Sequence, residues 1–131
     1  MKKFGIINAQ LAGYIAALGH KDRFMIADAG MPIPKGIPIV DLALVCGVPD
    51  FVQVMDAVMD EVCVEAYMLA EEIRENNPRL LAYMEQKLSG LPCEYVSHER
   101  LKEISRDIRF VIRTGEASPY PNVILSAGVV F

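Results

Sequence analysis

Hydrophobic residues recur along this chain with two alternating periods. From Asn8 to Leu18, apolar Leu11, Ile15 and Leu18 fall on one helical face, with Asn8 as an N-cap and Gly19 just past the end. The run from Arg23 to Asp28 reads as a buried strand, closed by the turn-forming Asp28-Ala29-Gly30. Gly30 to Pro38 contains three prolines and two glycines and predicts a rigid, exposed loop. Helical spacing returns from Asp50 to Val62, placing Phe51, Val54, Met55, Val58, Met59 and Val62 together. Cys63 to Ala70 reads as a strand whose tail could continue into an acidic helix around Glu71-Glu72-Ile73-Arg74. Asn77-Pro78 starts a helix that runs to about Leu88 and stops at Ser89-Gly90. A strand over Cys93–Ser97 and a helix from Glu99 to Asp107 follow. Phe110–Arg113 and Val123–Ser126 then close the chain as strands joined by a polar turn, Thr114 to Asn122.

Strands and helices alternating in this way predict an α/β fold: one three-layer domain over residues 1–131, with helices on both sides of a mostly parallel or mixed β-sheet. Such folds bind ligands where loops leave the carboxyl ends of strands. The polar residues expected there are Asp28, His98, Tyr120 and Asn122, while His20 lies in the short connection into the first strand. Each also has a purely structural reading. A histidine just past a helix C-terminus interacts favourably with the helix dipole, an aspartate before Ala-Gly is an ordinary turn residue, and a tyrosine between two prolines can pack a loop.

Composition narrows the function classes. An apolar fraction of 53% is slightly high for a soluble monomer and suits a chain with a permanently covered surface. No uncharged apolar run is long enough to span a membrane. Met1-Lys2-Lys3-Phe4 leads directly into the folded pattern with no signal-peptide features, which predicts a cytoplasmic protein. A net charge of −4 and scattered Lys and Arg argue against nucleic acid as a partner. Cys46, Cys63 and Cys93 match neither a disulfide framework nor a metal site and read as buried free thiols, and two histidines leave little for zinc. No phosphate-binding glycine loop or nucleophile elbow is present, and the adjacent Glu71 and Glu72 read as part of a solvated face.

Several segments together resemble the D-ribose pyranases. They are Leu18-Gly19-His20-Lys21-Asp22, Ala27-Asp28-Ala29-Gly30-Met31-Pro32-Ile33-Pro34, Gly47-Val48-Pro49, Glu71-Glu72-Ile73, Ser97-His98-Glu99, Arg113-Thr114-Gly115-Glu116 and the ending Pro119-Tyr120-Pro121-Asn122-Val123-Ile124-Leu125-Ser126-Ala127-Gly128-Val129. The likeness runs in order along essentially the whole chain. It implies a ribose-pyranase-like fold and an isomerase that interconverts the β-pyranose and β-furanose forms of D-ribose, supplying furanose for phosphorylation by ribokinase. The related L-fucose mutarotases, or a sugar-binding module without catalysis, are the alternative readings; a titratable residue at position 20 is what a pure binder would not need.

The resemblance further implies that His20 is the proton donor and that Asp28, His98, Tyr120, Pro121 and Asn122 bind the sugar, with Lys102, one helical turn beyond His98, a further candidate. Where this chain has Pro121, the family more often has alanine. Proline removes a backbone donor if the family uses one there, and changes little if only the carbonyl or surface is used. Ring opening needs a base at the anomeric hydroxyl and an acid at the ring oxygen, proton traffic to which histidine is suited without metal or cofactor. The resemblance also implies a ring-shaped homo-oligomer, a decamer, with the sugar site near a subunit boundary.

Overall fold

A computed structural model describes residues 1–131. The elements follow in the order α1 (Ala9–Ala16), β1 (Arg23–Ala27), β2 (Ile39–Asp41), α2 (Phe51–Met59), β3 (Val64–Ala70), α3 (Ile73–Asn76), α4 (Pro78–Lys87), β4 (Cys93–Val96), α5 (His98–Ile104), a 3₁₀ turn at Ser105–Asp107, β5 (Val111–Arg113) and β6 (Val123–Ala127). Two caps sit where the sequence places them: the Asn8 side chain accepts from Leu11 N–H, and Asn77 caps α4 ahead of Pro78. Asp50 adds a capping box with Gln53 at the start of α2.

The sheet is mixed, with strand order β2-β5-β1-β6-β3-β4. The β1/β5, β2/β5 and β3/β4 pairs are parallel, whereas β6 runs antiparallel to both β1 and β3. Every strand except β6 therefore points the same way. The alternation of side chains along β1 divides the core into two layers. Phe24 and Ile26 join Val123, Leu125 and Leu69 under α1, α2, α3 and α4. Met25 and Ala27 face the other side with Val111, Ile124 and Ala70, beneath Leu101 of α5, Ile108 and Met31.

Four expectations change in detail. The helices end earlier than their apolar periodicity: α1 stops at Ala16 and α2 at Met59, because Leu18 and Val62 belong to the turns that follow. The loop from Gly30 to Pro38 is irregular as predicted but not wholly exposed, since Met31 (6% exposed) seals the second core layer. Strands β5 and β6 are not neighbours; β1 lies between them, and Thr114–Asn122 crosses its end. The thiols are free but not buried. Cys46 and Cys63 are exposed and Cys93 is half-buried, where burial pushes its thiol up from the usual value. No helix is long and apolar enough to cross a membrane.

Candidate active site

Because five strands share one direction, their carboxyl ends and the amino end of β6 gather along one edge of the sheet. That edge holds a cleft of about 600 Å³ lined by Asp28, His98, Lys102, Glu116, Ser118 and Tyr120 among others. Asp28 leaves β1 and is fixed from both sides. Its Oδ2 accepts from Asn122 Nδ2 at 2.7 Å, its backbone N–H donates to Asn122 Oδ1 at 3.0 Å, and its Oδ1 accepts from Gly30 N–H at 2.9 Å. Asn122 is fully buried, so it orients Asp28 from below rather than lining the cleft. Each Asp28 oxygen retains a lone pair for a ligand hydroxyl.

His98 is the first residue of α5. Its N–H donates to both oxygens of Glu72, at 3.0 and 2.9 Å, and its ring meets Tyr120 edge-on at 5.1 Å. Nδ1 of His98 is buried with no hydrogen-bond partner in the chain. Tyr120 has a left-handed backbone, φ 64°. A non-glycine residue holds that conformation only where its surroundings over-determine it. Here the buried Asn77 donates from Nδ2 to Ser118 Oγ and to the Pro119 carbonyl, both at 2.9 Å. Pro121 is buried at the base of the same loop, away from the cleft wall. Lys102 does line the cleft, with its ammonium 2.8 Å from Glu99.

Glu116 forms the floor of the loop. Its carboxylate accepts from Phe51 N–H at the start of α2 and from the N–H groups of Ala117 and Ser118. Burial works to raise its pKa, but those donors more than offset it and hold the carboxyl below the usual glutamate value.

His20 lies elsewhere. It precedes β1 whereas Asp28 follows it, and five strand residues at about 3.3 Å each put on the order of 17 Å between the two ends. The His20 side chain is half-exposed, with Nε2 2.9 Å from Glu65 Oε2, and it lines a separate depression with Leu18, Cys63 and the carboxyl-terminal Val129–Phe131. One chain thus brings Asp28, His98 and Tyr120 together over Asn122 and Pro121, and leaves His20 at the opposite edge.

The comparisons decide the family. Residues 1–130 match the model described as the RbsD / FucU transport protein family. The chain belongs to this family. Among its curated members, the D-ribose pyranase of Geobacillus kaustophilus is 48% identical over 131 residues, covering all of this chain and 96% of that protein. The D-ribose pyranase of Streptococcus uberis is 49% identical over 130 residues, 98% of each chain. Bacillus subtilis RbsD, solved in complex with D-ribose, superposes with a TM-score of 0.96 at 44% identity, with full coverage of both chains. The Streptococcus pneumoniae fucose mutarotase, solved with L-fucose, shares the fold across both whole chains at a TM-score of 0.83 and 22% identity.

Within the RbsD/FucU frame, four residues that pattern reading did not single out take part in the architecture. They are Glu116, Glu72, Asn77 beyond its capping role, and Glu65. Glu72 corrects the reading of Glu71-Glu72 as a solvated pair, because its carboxylate holds the start of α5. Only Asn77 carried a local signal, as a helix cap. Glu72 and Glu65 meet partners remote in sequence, and Glu116 joins Phe51, 65 residues away, to its own neighbours Ala117 and Ser118.

Proposed function

We propose that this chain is a D-ribose pyranase, an isomerase that interconverts the β-pyranose and β-furanose forms of D-ribose and so supplies the furanose for phosphorylation by ribokinase. The observation that carries the reading is the full-length match, at 44% identity, to an RbsD solved with D-ribose. The cleft suits a small polyol: an oriented carboxylate, an imidazole nitrogen, an ammonium group and an aromatic edge converge on it. Asp28 and His98 accept from or donate to sugar hydroxyls, Tyr120 and Lys102 border the ring, and Asn122 and Pro121 set the loop beneath.

His20 is the proton donor in this proposal, supplied to the cleft by a second copy of the chain. Its half-exposed position and its separation from Asp28 support delivery in trans, as do the exposed apolar Leu44, Val45, Val130 and Phe131. The assembly is a homodecamer acting in the cytoplasm. Opening the hemiacetal requires a proton to reach the ring oxygen as another leaves the anomeric hydroxyl, and closure through a different hydroxyl changes the ring size. General acid–base assistance of ~10²–10⁴-fold suffices for a reaction that already proceeds slowly in water.

NMR saturation transfer between the β-pyranose and β-furanose anomeric signals of D-ribose tests the proposal. Protein-dependent acceleration that falls sharply in His20→Ala, to a low residual rate, is the expected result. The absence of acceleration by the intact protein would overturn it.

A further inference from the structure

At the His20 edge, two carboxylates organise the chain, Asp22 within the turn and Glu65 from the sheet. Gly19 to Asp22 forms a tight turn in which Asp22 N–H donates to the Gly19 carbonyl at 3.0 Å and Asp22 Oδ2 accepts from Gly19 N–H at 2.9 Å. Lys21, at the third position of this turn, has φ 67°, the conformation a type II turn needs and a lysine rarely adopts. The turn is tied to β6 by the Lys21 N–H bond to the Ala127 carbonyl and the Ala127 N–H bond to the Asp22 carbonyl, each 2.8 Å. The backbone that carries His20 is therefore set by the sheet.

Glu65 comes from β3, across β6 from that turn. Val64 pairs with Ala127 but Ala66 pairs with Ser126, so Glu65 is the extra residue of a β-bulge. A bulge re-aims the side chain it carries. Here the carboxylate lies 2.9 Å from His20 Nε2. Gly128 leaves room for it: a Cβ at that position would stand 3.2 Å from Glu65 Cβ. Because a carboxylate oxygen only accepts, Nε2 of His20 carries the hydrogen, and Nδ1 remains without a partner in the chain.

We infer that Glu65 is a positioning residue for His20: it holds the Nε2–H edge of the ring so that Nδ1 meets the sugar and, in the imidazolium form, gives its proton to the ring oxygen while the Nε2–H stays on Glu65. This rests on the assignment of the proton step to His20. It adds the orienting carboxylate and identifies the ring nitrogen that works.

Ring exchange of D-ribose measured in Glu65→Ala, His20→Ala and the double variant tests the inference. Loss of a hydrogen bond to a charged group predicts about a ten- to hundredfold fall in kcat for Glu65→Ala, with KM for ribose nearly unchanged. In the His20→Ala background the same change should cost nothing, because Glu65 acts only through the ring. Glu65→Gln, which keeps the shape and one acceptor oxygen, should recover part of the turnover and guards against a folding loss. Equal losses from Glu65→Ala in both backgrounds would overturn the inference, as would a Glu65→Ala enzyme of full rate beside a slow His20→Ala enzyme. A His20→Ala enzyme of full rate would instead remove the assignment beneath it, and the inference with it.

Discussion

Asn122 has no exposed surface, yet it decides how Asp28 presents its carboxylate, because one amide group meets both the backbone and the side chain of that residue. Asn122→Ala leaves the Asp28 N–H unpaired and frees the carboxylate to rotate. The expected cost is about 1–3 kcal/mol in urea unfolding. Ribose affinity should fall with it, read by calorimetric titration. Glu116 works differently. Its folded pKa is depressed, so its contribution is present above the unfolded glutamate value of ~4.3 and is lost as pH falls below it toward the folded value. Glu116→Gln places an amide against three N–H donors and should lower stability by about 1–3 kcal/mol at pH 7. That difference from the parent should shrink progressively in unfolding curves recorded below pH 4.3, where the parent's own carboxyl becomes neutral.

At the scale of elements, α5 is too short to hold itself together and depends on its amino end. Ser97 accepts from Arg100 N–H, and the Glu72 carboxylate accepts from His98 N–H, a favourable place for an anion. Glu72→Ala should lower the melting temperature through a loss of about 1 kcal/mol, and should weaken ribose binding because His98 is no longer held. Elements of this kind were legible from sequence wherever a period and a cap coincided, as at Asn8 and Asn77. Three-residue β2, enclosed by Pro38 and the loop beyond Asp41, had too little chain to show a period. The Glu72–His98 contact was illegible for another reason. It spans 26 residues and exists only because β3 and β4 pair in the register that sets Ala70 beside Val96. The separation of β5 from β6 is likewise a matter of topology, which adjacent hydrophobic runs do not encode.

For the whole molecule, the informative fact is that the residues proposed for one site lie at two edges of the sheet. Asp28, His98, Tyr120 and Asn122 were recognisable as neighbours because each adjoins a strand end on the same side. The position of His20 on the other side follows from its place before β1, but what it faces in the proposed assembly depends on a second chain. Delivery in trans has a direct test. His20→Ala and Asp28→Ala proteins, each severely impaired alone, should regain roughly a quarter of normal turnover when unfolded together at equal amounts and reassembled, since each intact half can then meet its counterpart. A mixture no faster than either variant alone, with assembly confirmed by sedimentation, would place both halves in the same chain. Strand β1 thus acts as a spacer whose length no side chain can bridge. A solitary copy would own two incomplete sites, so turnover per chain should collapse on dilution below the dissociation constant of the assembly and return on concentration, which makes the rate of sugar exchange a gauge of association itself.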